Sequence, residues 1–199
     1  MKAKIDVGMI DVFGSDYHVA RIARLSRGVP WEVDAAAKMD SEKWSKSTWE
    51  ENTKTLRFLF EQKHMTAFEF AGATFYIEAP IFVARQLMRY RCASYLERSL
   101  RYCKPFEENE EYNKLLADGF KRERARAVLP LITTTAFYMH ANLREWFHIF
   151  DERLSAHAQE ETRLLVSMIH NQLASHLPLS IALWDNSPNG QAFHNEFSK

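Results

Sequence analysis

The stretch RYRCASYLERSLRY, Arg89 to Tyr102, places four arginines in fourteen residues, with Glu97 as its one carboxylate. Arg85 adds a fifth guanidinium just upstream. On a helix, Arg85 and Arg89 would share one face four residues apart, where like charges cost about 0.2–0.5 kcal/mol unless an anion neutralises them. A guanidinium forks onto phosphate through two parallel hydrogen bonds, so a phosphorylated ligand suits this cluster. Ser99 adds a hydroxyl, better placed as a phosphate or sugar contact than as a nucleophile, since no base stands at a fixed spacing to activate it. The competing reading pairs the arginines with the acidic run Glu107, Glu108, Glu110 and Glu111 as a solvated surface network.

Composition narrows the choice. Lys+Arg and Asp+Glu both number 26 in 199 residues, so an anion site must be local, and a general attraction to nucleic acid or membrane surfaces is excluded. Arg and Tyr interleaved in the motif suggest a single-strand-binding module, but one narrow basic segment argues against it. Cys92 and Cys103 are the only cysteines. Nearby guanidinium groups favour a thiolate, which leaves a nucleophilic route open beside the plainer reading of a small buried filler. Met1 and the lack of an apolar leader imply reduced thiols in a cytoplasmic protein. Ala79 to Leu87 is too short to span a bilayer. His148 and His157 lack carboxylate or Cys companions at ligand spacing, so no metal is expected.

The elements that must position the cluster read as follows. Lys4 to Phe13 has strand-like spacing and Gly14 ends it; Ser15 and Asp16 cap a helix over Tyr17 to Ser26, closed by Gly28 and Pro30. Ser41 to Lys63 is an amphipathic helix with Trp44, Thr48, Leu56, Leu59 and Phe60 on one side. Ala67 to Pro80 is a strand and Ile81 to Arg91 a helix. Ser94 to Tyr102 is a loop with a short extended piece, and Glu107 to Arg126 is helical. Thr133 to Ala141 is a second strand, Asn142 caps a helix over Leu143 to Arg153, and Gln159 to His176 is a further amphipathic helix. Pro178 breaks that helix, and the tail after Asn186 is loosely ordered. The sum is α+β, with helices packed around a small, mostly antiparallel sheet in a single domain, 1–199. Phe68, Phe75, Phe137, Tyr138 and Phe147 read as core.

Arg89, Arg91, Ser99, Arg101 and Tyr102, spaced R-x-R-x7-S-x-R-Y, resemble the RHR-x7-S signature of the flavin-dependent thymidylate synthases. His64 to Phe70 (HMTAFEF) resembles that family's H-x-[ST]-P-F-E-H, and Ala79 to Arg91 its APIFVARQ-x-x-RHR. Arg126 to Pro130, Asn142 to Arg144 and Glu152 to Glu161 follow its later segments in order, from about Val19 to about Gln159. The resemblance implies conversion of dUMP to dTMP, with methylenetetrahydrofolate as carbon donor, FAD as cofactor and NADPH as reductant. It also implies a homotetramer whose sites draw on several subunits. It assigns Gln86, Arg89, Glu97, Arg98, Ser99, Arg101, Arg126 and Arg153 to dUMP, and Ser26, Thr66, Glu69, Arg89, Tyr90, Arg91, Glu97, Asn142, Arg144, His148 and His157 to FAD. Arg153 becomes the catalytic cation facing uracil; read from its neighbours Asp151 and Glu152 alone, it is a helix-terminal charge. Its guanidinium cannot accept a proton at neutral pH, so its role would be to stabilise the uracil ring with N3 ionised.

The sequence departs from the family where Tyr90 replaces the middle His of RHR, Phe70 the second His, Ala67 the Pro, Leu96 an Asn and Leu100 a Gly. These changes fall on the flavin side, while the dUMP set is intact. A divergent enzyme and a non-catalytic dUMP-binding relic on the same scaffold both follow from that pattern.

Overall fold

The computed structural model describes residues 4–26, 28 and 46–197. Its centre is a four-stranded antiparallel sheet built from β1 (Asp6–Phe13), β2 (Gly72–Pro80), β3 (Ser94–Glu97) and β4 (Thr134–Asn142), in the order β1-β2-β4-β3. Along β2 the side chains of Ala73, Phe75, Ile77 and Ala79 are all fully buried, while Thr74, Tyr76 and Glu78 point the other way. The period of two therefore separates a core face from an outer face. Phe137, Met139 and Ala141 of β4 continue the core face, and Tyr76 meets Tyr138 edge-on across the outer one.

Helices cover the inner face. These are α1 (Asp16–Leu25), α2 (Lys46–Glu61), α3 (Ile81–Leu87), α6 (Leu143–Arg153), α7 (Glu160–His176), α8 (Pro178–Asp185) and α9 (Pro188–Phe197); α4 (Glu110–Ala117) and the one-turn α5 (Arg122–Ala125) lie in the connection before β4. Trp146 and Phe150 of α6 join Phe75, Leu165, Ile169 and Trp184 in one apolar cluster. Gln172 of α7 accepts from the Met9 N–H and donates to the Val7 carbonyl, each at 2.9 Å, so one amide fastens α7 to the backbone of edge strand β1. Asp16 does the same for α8: its carboxylate accepts from the N–H groups of Leu179 and Ser180 and from the Ser180 hydroxyl. Burial pushes the Asp16 carboxyl above the usual range, although these three bonds oppose the shift.

Gly72 explains why β2 and β4 run so close where the site begins. A side chain there would sit 2.3 Å from the Ala141 carbonyl oxygen and 2.7 Å from the Asn142 Cα. Gly14, at φ +70°, turns the chain from β1 into α1 in the left-handed region that favours glycine.

Several expectations need correction. Met65–Phe70 forms a 3-10 turn, so the strand begins at Gly72 rather than Ala67. The helix expected to run to Arg91 stops at Leu87, and the Tyr95 hydroxyl takes the Leu87 and Tyr90 carbonyls at 2.7 and 3.0 Å. Arg89 and Arg91 thus belong to a turn, not to the helical face shared with Arg85. Glu107 to Arg126 is broken by Gly119 at φ +87° into α4, α5 and a 3-10 turn over Arg126–Val128. Pro178 ends α7 but starts α8, where its missing N–H costs nothing. The tail is helical because Phe193 is buried against Trp184 and His170. Tyr138 is 45% exposed, and Cys92 is exposed rather than a buried filler. Pro30, Trp44 and the expected helix start at Ser41 lie outside the described residues, as does the Thr48 side chain.

Candidate active site

Helix α6 forms the floor of the site. Asn142, the last residue of β4, caps it by accepting from the Glu145 N–H at 3.0 Å. Leu143, Trp146, Phe147, Ile149 and Phe150 turn into the core. Glu145, His148 and Glu152, three and four residues apart, make a stripe on another side of the same helix, where they line one open cleft. The facing wall is the end of α3 and its following turn, with Arg85, Gln86, Arg89, Tyr90, Arg91 and Cys92. Arg153 completes a cleft of about 810 Å³ with four guanidinium groups on its lining.

Tyr90 organises the cleft's inner end. It is 4% exposed and donates its hydroxyl to Glu152 Oε2 at 2.7 Å. The Arg153 guanidinium lies 5.3 Å from the centroid of its ring, and the His148 ring meets it edge-on at 5.5 Å. Burial, and then the bond to Glu152, push the phenol pKa well above the usual 10.0, so Tyr90 remains a neutral donor at physiological pH. Glu152 also approaches Arg153 at 3.6 Å and His148 at 3.7 Å. Arg153 Nε is buried with no hydrogen-bond partner, while the side chain as a whole keeps 25% of its surface exposed. On α3, Gln86 is held by Thr162, whose hydroxyl donates to Gln86 Oε1 at 2.8 Å, and donates in turn to Gln159.

A second cavity of about 580 Å³ adjoins this cleft and shares Cys92, Glu145 and His148 with it. Beyond the shared residues, Lys63, Glu69, Asn142, Arg144 and Asp151 supply its polar groups, and Phe60, Met65 and Phe147 its apolar lining. Arg144 is already paired with Glu69. Together the two cavities hold Gln86, Arg89, Tyr90, Arg91 and Arg153 in one part and Glu69, Asn142 and Arg144 in the other, with His148 between them.

The remaining expected residues lie elsewhere on the protomer. Ser26 and Thr66 line a separate cavity of about 420 Å³ with Phe70 and His64. Arg101 lines a hollow of about 350 Å³ and approaches Glu123 at 3.6 Å. Ser99 accepts from the Arg101 N–H, and Arg98 stacks over Phe106 at 3.9 Å. Glu97 accepts from the Thr135 hydroxyl at 2.8 Å. Arg126 and His157 are exposed. Among the described residues, no ion pair joins Arg85, Arg89 or Arg91 to Glu107, Glu108, Glu110 or Glu111. Glu107 instead accepts from the Thr134 N–H, and Glu108 from Asn113. Glu145 and Glu152 were missed as site residues. Their spacing to His148 is readable from the sequence, but only once α6 is known to face the arginine turn.

Fold and cleft together define an α+β protein with a guanidinium-lined cleft beside a second, mixed polar and apolar cavity. Residues 9–110 and 106–179 match the family described as thymidylate synthase complementing protein, and the chain belongs to it. A flavin-dependent thymidylate synthase from Thermotoga neapolitana is 33% identical over 185 residues, covering 78% of this chain and 79% of that one. The enzyme of the same name from Thermosipho melanesiensis is 31% identical over 194 residues, covering 77% and 78%. Among solved structures, a UMP/dUMP methylase, PolB from Streptomyces cacaoi, bound with 5-Br dUMP, superposes with a TM-score of 0.79 at 25% identity. That match covers 94% of this chain and 97% of PolB.

Proposed function

We propose that this chain methylates C5 of a uridine monophosphate, dUMP foremost, as a flavin-dependent thymidylate synthase. The observation that carries the reading is the convergence of Arg85, Arg89, Arg91 and Arg153 on one cleft, in a chain of this family. A phosphate satisfies the guanidinium groups of Arg85, Arg89 and Arg91, which form no ion pair among the described residues, whereas Arg153 has Glu152 at 3.6 Å. Arg153, on the cleft lining with part of its side chain exposed, suits a uracil carbonyl oxygen. A fixed cation there favours the ionised ring, and losing such a group typically costs about 2.7–4 kcal/mol of barrier.

The second cavity fits a flavin dinucleotide chemically. Arg144 and Lys63 are cations for a diphosphate, Asn142 and Glu69 can hydrogen-bond, and Phe60, Phe147 and His148 offer an apolar and aromatic lining. FAD, when bound and reduced by NADPH, supplies the two electrons that turn the methylene carbon of methylenetetrahydrofolate into a methyl group. Within the site, His148 bridges the two cavities, Gln86 and Arg153 orient the pyrimidine, and the arginines hold its phosphate. Ser26, Thr66, Glu97, Arg98, Ser99, Arg101, Arg126 and His157 lie away from this cleft on the protomer, which supports a homotetramer in which a second copy brings its own set to each site.

Purified protein that is yellow, and that oxidises NADPH in a dUMP-stimulated manner, forming dTMP only with methylenetetrahydrofolate, would bear this out. Binding of dUMP without any turnover would instead make the chain a nucleotide-binding relic. The likeness to PolB favours one extension, that UMP is methylated as well as dUMP. Equal assays with the two nucleotides test it.

A further inference from the structure

Three helices outside the cleft bring two imidazoles and a carboxylate to one point. His170 of α7 and His194 of α9 place their Nε2 atoms 2.8 and 2.9 Å from the same oxygen, Asp185 Oδ1, at the end of α8. All three atoms lie within 4.8 Å of one another. His170 is only 3% exposed, and Phe150, Trp184 and Phe193 surround its ring. His194 and Asp185 open to solvent, with 49% and 29% of their side chains exposed.

We propose that His170, Asp185 and His194 form a structural site for a divalent transition metal, zinc above all, with solvent completing the coordination. Two imidazoles, one carboxylate and an open position make a donor set that zinc accepts at about 2.0–2.2 Å per ligand. Ligands at that radius in tetrahedral array lie roughly 3.3 Å apart, so each histidine-to-carboxylate spacing must open by about half an ångström, while the two imidazole nitrogens already lie within 4.8 Å of each other. Each histidine now directs Nε2 at the carboxylate. On binding, Nε2 gives its lone pair to the metal and the ring proton resides on Nδ1. For His170 that tautomer has a ready acceptor, because Asn171 Oδ1 lies 3.3 Å from Nδ1. The aromatic shell keeps water from the inner side, and the exposed side provides entry. Zinc would therefore clamp the end of α8 to α7 and α9, the layer that backs α6.

The test uses the full chain, stripped with a chelator and titrated with zinc sulfate by calorimetry, with thermal unfolding followed in parallel. The expected result is one zinc per chain, a melting temperature raised by several degrees, and both effects lost in His194→Ala. That variant changes an exposed residue and keeps the buried His170 in place. Asp185→Asn should weaken binding by roughly two orders of magnitude. Cobalt(II) should give the visible bands of a nitrogen and oxygen ligand field. No zinc uptake, uptake unchanged in His194→Ala, or cobalt charge-transfer bands from thiolate would each overturn the proposal; the last would point to Cys92 or Cys103.

Discussion

Replacing Tyr90 with phenylalanine removes one hydroxyl and leaves the ring that carries the Arg153 and His148 contacts. A hydrogen bond to a charged acceptor contributes about 1.5–3 kcal/mol. The Glu152 side chain is 47% exposed, so water takes over much of the lost bond and the low end applies, about 1.5 kcal/mol. For a chain of this size each kcal/mol moves the melting temperature by about 2–4 °C, giving an expected drop of about 3–6 °C. Turnover should fall as well. Freed from the phenol, the Glu152 carboxylate is drawn onto Arg153, 3.6 Å away, and dilutes the positive charge offered to the pyrimidine. A loss of about 1.4 kcal/mol there is tenfold in kcat, with KM for dUMP nearly unchanged. The pH dependence has a definite sign. The folded phenol titrates above the unfolded value of 10.0, so its stabilisation is complete below pH 10 and is lost as pH rises further. The stability gap between wild type and Tyr90→Phe should therefore be constant at neutral pH and narrow above pH 10. Scanning calorimetry at several pH values and steady-state kinetics check both parts. A Tyr90→Phe protein with wild-type melting temperature and kcat would refute the reasoning, because the Glu152 bond would then be holding nothing in place.

Arg153→Gln keeps hydrogen-bonding capacity but removes the charge, and should lower kcat by about a hundredfold or more while the protein still folds. Circular dichroism alongside the kinetics separates the two effects. Gly72→Ala drives a methyl group into the Ala141 carbonyl and the Asn142 backbone, at 2.3 and 2.7 Å. It should cost about 3 kcal/mol and reduce turnover by tilting the start of α6, measurable by urea unfolding and activity. Asp16→Ala orphans two N–H groups at the start of α8 and the Ser180 hydroxyl. A destabilisation of about 2–4 kcal/mol should appear in denaturant midpoints, with the dUMP KM unaffected.

What could be read in advance was whatever depends on local pattern. The aromatic and β-branched residues between Ala67 and Pro80 marked β2, and Asn142 announced the start of α6 by its capping chemistry. Failures came where a distant residue decides. Nothing near Leu87 says that a tyrosine eight residues on will take its carbonyl and end α3. The polar tail becomes helical through Phe193, whose partners lie on α7 and α8. For the site, the clustering of arginines was visible in the sequence, but the opposing wall on α6 was not, since no spacing rule links Tyr90 to Glu152 across 62 positions. His170, Asp185 and His194 are likewise too widely separated for a ligand-spacing search, and only the helix packing assembles them.

Helix α6 also acts as a ruler. In this helix of 11 residues, the nine steps of about 1.5 Å from Arg144 to the last residue, Arg153, set roughly 14 Å between them. One inserted residue would lengthen it by about 1.5 Å and swing everything beyond by about 100°. Arg153 would then leave the arginine-lined cleft while Arg144 stayed in its own cavity. The distance between the two halves of the chemistry is thus written into the length of a single helix, where a change in residue count does more harm than most changes of residue type.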